Sequence, residues 1–468
     1  MTEFLLFQPP VSLTNPKANT GGDTYSIGLA YVAAALRQSD VKVRVINNAA
    51  ATYSIKDILD LVASDSVRIV GLSTLLATIP ATVAVARAIK SRFGKKVHVM
   101  LGNAYASIDP DIGKRYPYFD TVVTGEADLT VPELARRILA GETVEGSIEA
   151  TPPDDLDAVP FPAYDLFENT HWKKGTLLPI VGTRGCPHQC GYCARQALSK
   201  KVRSRSPENL VAEIKARLPM TRRFYFQDDS ATINRNHVLA FCRKLLQSRL
   251  VISYEMTTRA DCLDDEVVSL LKQSGCRTLL LGVESGSERI RNEVIKKRLT
   301  DKEIFDGVAV CKRRGLAVQL FFMIGHPQET QNDVMASLNY PLKLWKLGLT
   351  NIETVGYHVT LPIPTTPYFT WCVQKGKISP NLVDDYITGK LGDGYFGHWP
   401  YLVPDGMTEE DLLRSRAVGN RQFHLRASYA YRRLLRDLSH PEDLMADLKH
   451  AYYLLKHGGS SDISKLES

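Results

Sequence analysis

Twice along its length the chain alternates short apolar runs with helical stretches, and a Pro- and Asp-rich segment divides the two series. Such a chain is restricted to parallel sheets wrapped by helices, because each strand needs a crossover before the next parallel strand can be laid. In the first series, residues 4–7, 41–46, 67–73, 97–101 and 121–123 predict strands, and 26–38, 55–63, 81–93 and 131–140 predict helices. The fold class expected for residues 1–150 is therefore α/β, a doubly wound, Rossmann-like parallel sheet. Residues 151–176 read as a linker, opened by Thr151, Pro152, Pro153 and two aspartates. The second series, over 177–370, places strands at 178–181, 224–226, 252–256, 278–281, 318–324 and 352–360, which makes six βα-like units. Ser206, Pro207 and Glu208 give one of its helices an N-cap, a first-turn proline and an early acid. Residues 371–468 read as a small helical C-terminal region. It is Gly- and aromatic-rich over 392–400, helical from Thr408, and closes with a helix over 441–455 and a Gly/Ser-rich tail.

All eight cysteines lie at or after Cys186, and three of them, Cys186, Cys190 and Cys193, stand at C-x3-C-x2-C spacing directly after the first strand of the second series. Gly185 precedes the first of them and Tyr192 the last. A zinc site completed by His188 is one reading, but structural zinc pairs two short knuckles far apart in sequence and no second knuckle exists. Buried thiols are common in cores, yet three within eight residues beside Gly and Pro are not a core pattern. The other five, Cys242, Cys262, Cys276, Cys311 and Cys372, are scattered and read as reduced thiols of a cytoplasmic protein.

The loop resembles the cluster loop of the radical S-adenosylmethionine (SAM) enzymes. The resemblance implies a [4Fe-4S] cluster held on three irons by three thiolates, with the fourth iron left for SAM. It also implies a partial (β/α)6 barrel, cleavage of SAM to a 5'-deoxyadenosyl radical, and an electron donor such as flavodoxin or ferredoxin. The SAM contacts it implies fall at expected strand ends, where barrel chemistry sits. Tyr192 would pack on adenine, and Asp228 or Asp229 would receive the methionine ammonium. Arg259 would grip the carboxylate or ribose, Glu284 and Ser285 would meet hydroxyls or amine, and Gly325 would lie near adenine.

The strand ends of the first series read Gln8-Pro9-Pro10, Gly71-Leu72-Ser73-Thr74, Gly102-Asn103-Ala104 and Gly125-Glu126-Ala127. Glycines and small residues there permit close approach of a large flat ligand. Together with Gly28-Leu29, their order resembles the cobalamin (B12)-binding domain of the B12-dependent radical SAM enzymes. The resemblance assigns cobalamin contacts to Pro10, Ser73, Thr74, Leu75, Gly102, Asn103, Ala104, Tyr105, Gly125 and Glu126. The chain departs from that family at Asn103 and Tyr105, where the family often has Gly and His. A nucleotide-binding domain is the rival, but no G-x-G-x-x-G follows the first strand. The loop over 8–25 contains no histidine, and His98 stands inside a strand, so cobalt is expected to lack a histidine ligand from this domain.

The net charge of +7 over 468 residues does not call for nucleic acid, and no apolar run approaches the roughly 20 residues of a membrane span. The first residues lack a basic n-region and are read as a strand, not a leader. The expected activity is C-methylation of an unactivated carbon in a small-molecule, lipid or tetrapyrrole-type substrate. One rival is a ring-forming reaction of the same enzyme class, and another is a non-catalytic corrinoid or cluster sensor. A methylthiotransferase is set aside because residues 1–185 hold no cysteine for a second cluster.

Overall fold

The computed structural model describes residues 2–14, 19, 26–168, 177–197, 199–392 and 399–439. The expected helix over 441–455 and the centre of the aromatic loop lie outside these residues. The chain divides into two compact units. One comprises Met1–Pro179, Ala194–Arg205 and Ile378–Trp399; the other comprises Ile180–Cys193, Ser206–Lys377 and Pro400–Ser468.

The first unit is a six-stranded parallel sheet: β1 (Phe4–Gln8), β2 (Val43–Asn47), β3 (Ile69–Ser73), β4 (His98–Gly102), β5 (Thr121–Thr124) and β6 (Gly146–Glu149), in the order β2-β1-β3-β4-β5-β6. β1 lies between β2 and β3, with Phe4 opposite both Val43 and Ile69. Helices cover both faces of such a strand, so Phe4, Leu5, Leu6 and Phe7 are all buried and its sequence is a continuous apolar run. Gly71 is required by packing: a Cβ there would lie 2.6 Å from the Phe4 ring. The strand order reverses between β1 and β3, which makes that edge the topological switch point where such sheets take ligands. Five of the strands stand where the sequence places them. β6 does not announce itself, because it is a mostly exposed edge of four residues with no apolar run.

The second sheet runs β14-β13-β12-β11-β10-β7. Its members are β7 (Leu178–Ile180), β10 (Arg223–Phe226), β11 (Ser253–Thr258), β12 (Cys276–Glu284), β13 (Ala317–Ile324) and β14 (Ile352–Val359); two short strands, β8 (Thr183–Arg184) and β9 (Arg203–Ser204), precede β10 in the chain. From β10 to β14 every neighbour is parallel. Burial alternates strictly along β11 and β13, so one face packs under helices and the other stays half-exposed. Side-chain caps start the helices: Thr300 with Glu303, Thr330 with Asp333 and Thr408 with Asp411 form reciprocal capping boxes. Register slips between Gly282 and Glu284 at the end of β12, a bulge that re-aims Glu284. A single π-helical turn, Ile290–Val294, follows. Among the described residues no helix is long and apolar enough to cross a membrane.

Candidate functional site

The cysteine loop is shaped by its own backbone and by residues far from it in sequence. Gly185 turns the chain at φ +96°, and the Cys193 amide donates to the Cys190 carbonyl at 3.0 Å. The Gly191 amide donates to the Ile295 carbonyl at 2.9 Å, and Cys190 packs on Ile290 and Ile295. Gly191 has no room for a side chain, because a Cβ would lie 2.7 Å from the Tyr368 ring. Cys190 is buried, Cys186 and Cys193 are half-buried, and all eight cysteines stand outside disulfides. Burial pushes the Cys190 thiol up, while Lys297 and Arg259 pull the other way. Among the described residues, no three metal-ligating side chains converge on one point. Three thiols within eight residues are the kind of donor set a [4Fe-4S] cluster takes, one sulfur to each of three irons.

The loop is entered through Asp228. One carboxylate oxygen accepts from the Gly182 amide at 2.7 Å, and the other accepts from the Thr183 amide and hydroxyl, both at 3.0 Å. Burial raises this carboxyl to about 6, with those three donors working against the rise. Asp228 is thus engaged in holding the first turn of the loop, and its neighbour Asp229 is half-buried.

Glu284 stands at the centre of the arrangement. Its Oε1 accepts from the Tyr192 hydroxyl at 2.9 Å and from the Lys297 ammonium at 2.8 Å. Its backbone sits at φ +69°, a conformation rare for a residue with a side chain. Gly282 makes room for it, since a Cβ there would lie 2.5 Å from Glu284 Oε1. Burial works to raise the Glu284 carboxyl, but Lys297 and Tyr192 together bring it below its ordinary value. Ser285 instead faces the helix Gln331–Lys346, with its hydroxyl 3.2 Å from that of Ser337.

Arg259 does not present its guanidinium to open space. It grips Asp261 through two hydrogen bonds of 2.9 and 2.8 Å and donates to the carbonyls of Lys297 and Arg298. Gly325 turns at φ +87°, and its amide and that of His326 both donate to Glu329 Oε2, at 2.5 and 3.0 Å. His326 Nδ1 pairs with the Tyr368 hydroxyl at 3.1 Å, and the Tyr368 ring meets that of Tyr192 edge-on. Lys297 and Tyr368 escape a reading of the sequence. The run Ile295-Lys-Lys-Arg298 looks like a solvated charged turn, and Tyr368 like ordinary core.

In the first unit the expected ligand residues separate into two groups. At the rim, Leu75 is 42% exposed, Gly102 has open space where a Cβ would be, and Asn103 sits at φ +79°. Asn103 Nδ2 donates to the Ser73 hydroxyl at 2.8 Å and its Oδ1 accepts from the Ala104 amide, which locks β3 to β4 at their ends. Gly125 turns at φ +79° and donates to Ser107 at 2.8 Å. These residues fit a broad flat ligand lying on strand ends. The other group turns inward. Thr74 is buried with its hydroxyl 3.0 Å from Thr82, and Pro10 is buried. Tyr105 is fully buried and donates its hydroxyl to Asp109 at 2.9 Å. Glu126 forms an ion pair with Arg203, which also donates to the Pro153 carbonyl at 2.6 Å. His98 opens β4, away from the rim, with Nε2 2.9 Å from the Thr121 hydroxyl.

The family model of the Radical SAM superfamily matches residues 180–340, and that of the B12 binding domain matches residues 16–135. An uncharacterized methyltransferase of Pyrococcus horikoshii, PH0819, is 27% identical over 396 residues, covering 80% of this chain and 84% of the relative. The cytidylyl-2-hydroxyethylphosphonate methyltransferase of Streptomyces wedmorensis is 22% identical, covering 87% and 88%. Among solved structures, the cobalamin-dependent S-adenosylmethionine radical enzyme OxsB, with aqua-cobalamin and SAM bound, superposes with a TM-score of 0.67. That match covers 100% of this chain and 74% of OxsB at 15% identity, so it is a likeness of fold. The two matched domains in one chain, over a shared fold, place this protein among the radical SAM enzymes that carry a B12-binding domain.

Proposed function

We propose that the protein is a cobalamin-dependent radical SAM C-methyltransferase acting on an unactivated carbon of a small-molecule, lipid or tetrapyrrole-type substrate. The observation that carries this reading is the pairing, in one chain, of a B12-type sheet with a three-cysteine loop, in register with relatives named as methyltransferases over four-fifths of its length.

When bound, the cluster supplies the electron that breaks a C–S bond of SAM, and cobalamin supplies a carrier for the methyl group. The protein's part is to hold and orient. Cys186, Cys190 and Cys193 would hold the iron, with Asp228 fixing the entry of their loop and Gly191 letting it lie flat on Tyr368. We assign the methionine ammonium to Asp229, because the oxygens of Asp228 already serve the loop. Glu284, held by Tyr192 and Lys297, offers its second oxygen to a SAM hydroxyl or amine. Arg259 acts from behind, shaping the turn at 296–298. Ser73, Leu75, Gly102, Asn103, Ala104 and Gly125 would bear cobalamin on the strand ends. The external electron donor would be a flavodoxin or ferredoxin in a reducing, cytoplasmic setting.

The test is metabolite comparison of wild-type and deletion strains grown on methyl-labelled methionine. A metabolite that carries one more labelled methyl only in the wild type supports the reading. A wild-type-only product of unchanged methyl count and altered ring number would favour ring formation instead.

A further inference from the structure

The turn after the π-helical segment is built with more care than a charged surface loop needs. Lys296 and Arg298, neither a glycine, flank Lys297 at φ +62° and +55°. Such backbone persists only where the surroundings over-determine it. Here Arg259 supplies the restraint, donating to the carbonyls of Lys297 and Arg298 at 3.0 and 3.2 Å while Asp261 clamps its other edge. The outcome is a lysine whose side chain is only 8% exposed, with its ammonium 2.8 Å from Glu284 Oε1.

That ammonium is fixed close to the cysteine loop. Tyr192, between Cys190 and Cys193, donates to the same carboxylate oxygen at 2.9 Å. Ile295, two residues before Lys297, accepts from the Gly191 amide and packs on Cys190. A buried charge acts more strongly on its neighbours than an exposed one, because little water screens it.

We propose that Lys297 sets the midpoint potential of the iron–sulfur cluster on Cys186, Cys190 and Cys193, its buried positive charge favouring the reduced, more negative cluster. The proposal rests on the cluster reading given above. Reduction adds one electron to the cluster from the external donor, with no bond or proton change at Lys297. The positive charge raises the potential by stabilising the state that carries one more negative charge. Glu284, paired with that ammonium, opposes it, so the two side chains should move the potential in opposite directions.

The experiment is an EPR-monitored redox titration of the anaerobically reconstituted full-length protein, with viologen mediators and no SAM. Iron and sulfide are counted first. A wild type that assembles no four-iron cluster would overturn the cluster reading and this proposal with it. With the cluster assembled, Lys297→Met should shift the midpoint to more negative potential, Lys297→Arg should stay near wild type, and Glu284→Gln should shift it to more positive potential. A fully loaded Lys297→Met variant with the wild-type midpoint overturns the proposal. So does a shift of Lys297→Met and Glu284→Gln in the same direction, which a disturbed loop would give. If Lys297→Met fails to load, Glu284→Gln decides, and the absence of a positive shift there counts against the proposal.

Discussion

Tyr192 donates its hydroxyl hydrogen to Glu284 Oε1 across 2.9 Å, joining two positions 92 residues apart in the chain. One sits between two cysteines of the loop, the other at the bulged end of β12. A hydrogen bond to a buried charged group is worth about 1.5–3 kcal/mol. The Tyr192→Phe variant keeps the ring against Tyr368 and loses only this bond. It should therefore unfold at lower temperature than wild type while retaining its iron. An unchanged melting temperature would show that Lys297 alone holds the carboxylate.

The two adjacent aspartates should separate experimentally. Asp228→Ala strips the Gly182 amide and Thr183 of their acceptor, so the loop entry loosens and iron content after reconstitution should drop. Asp229→Ala should load normally but bind SAM more weakly, which isothermal titration reads directly. The reverse pattern, with Asp228→Ala fully loaded, would contradict the assignment.

Glu329 makes stability depend on pH. Burial pushes its carboxyl up to about 8 from an ordinary 4.5, although the amides of Gly325 and His326 oppose the rise. Its Oε1 is buried without a hydrogen-bond partner among the described residues, so the proton resides there. The folded protein keeps that proton up to about pH 8, whereas the unfolded chain releases it near 4.5. Stability from this group is complete below 4.5 and is lost as pH rises through about 8. Glu329→Gln imitates the protonated acid at every pH. Its melting temperature should fall less than that of wild type between pH 5 and 8, the window set by this shift. Equal slopes would contradict the protonated state.

Among the described residues, the B12-type unit places no histidine at its rim. His98 opens β4 beside Thr121, and Tyr105 is buried on Asp109. The EPR spectrum of the protein loaded with Co(II) cobalamin should therefore lack the nitrogen superhyperfine splitting of a histidine ligand. Splitting that vanishes in His98→Ala would contradict this.

Much of the fold was legible because each strand of a parallel sheet is buried on both sides or alternates regularly, and both patterns show in sequence. Phe4–Gln8 and Ala317–Ile324 illustrate the two cases. β6 was not legible, because an exposed edge strand carries no apolar pattern. Within the site, the cysteines stand out by their spacing, whereas Tyr192 and Glu284 are picked out only by the family resemblance. The roles of Asp228 and Arg259 do not show in the sequence, since an acid or an arginine at a strand end reads the same whether it faces a ligand or clamps a neighbouring loop. Lys297 was hidden because its burial depends on a turn with two left-handed residues that no local propensity predicts. Nor does composition foretell that residues 378–399 fold with the first unit, far from it in the chain.

In the proposed reaction this chain cuts one SAM molecule reductively and takes a methyl group from another. The direct measurement is on protein reconstituted with cluster and cobalamin, supplied with reductant, substrate extract and methyl-labelled SAM. Both 5'-deoxyadenosine and S-adenosylhomocysteine should form, with one labelled methyl per product, and 5'-deoxyadenosine should vanish when Cys186, Cys190 and Cys193 are all changed to Ala. Formation of 5'-deoxyadenosine with no S-adenosylhomocysteine and an unlabelled product would contradict the proposed reaction.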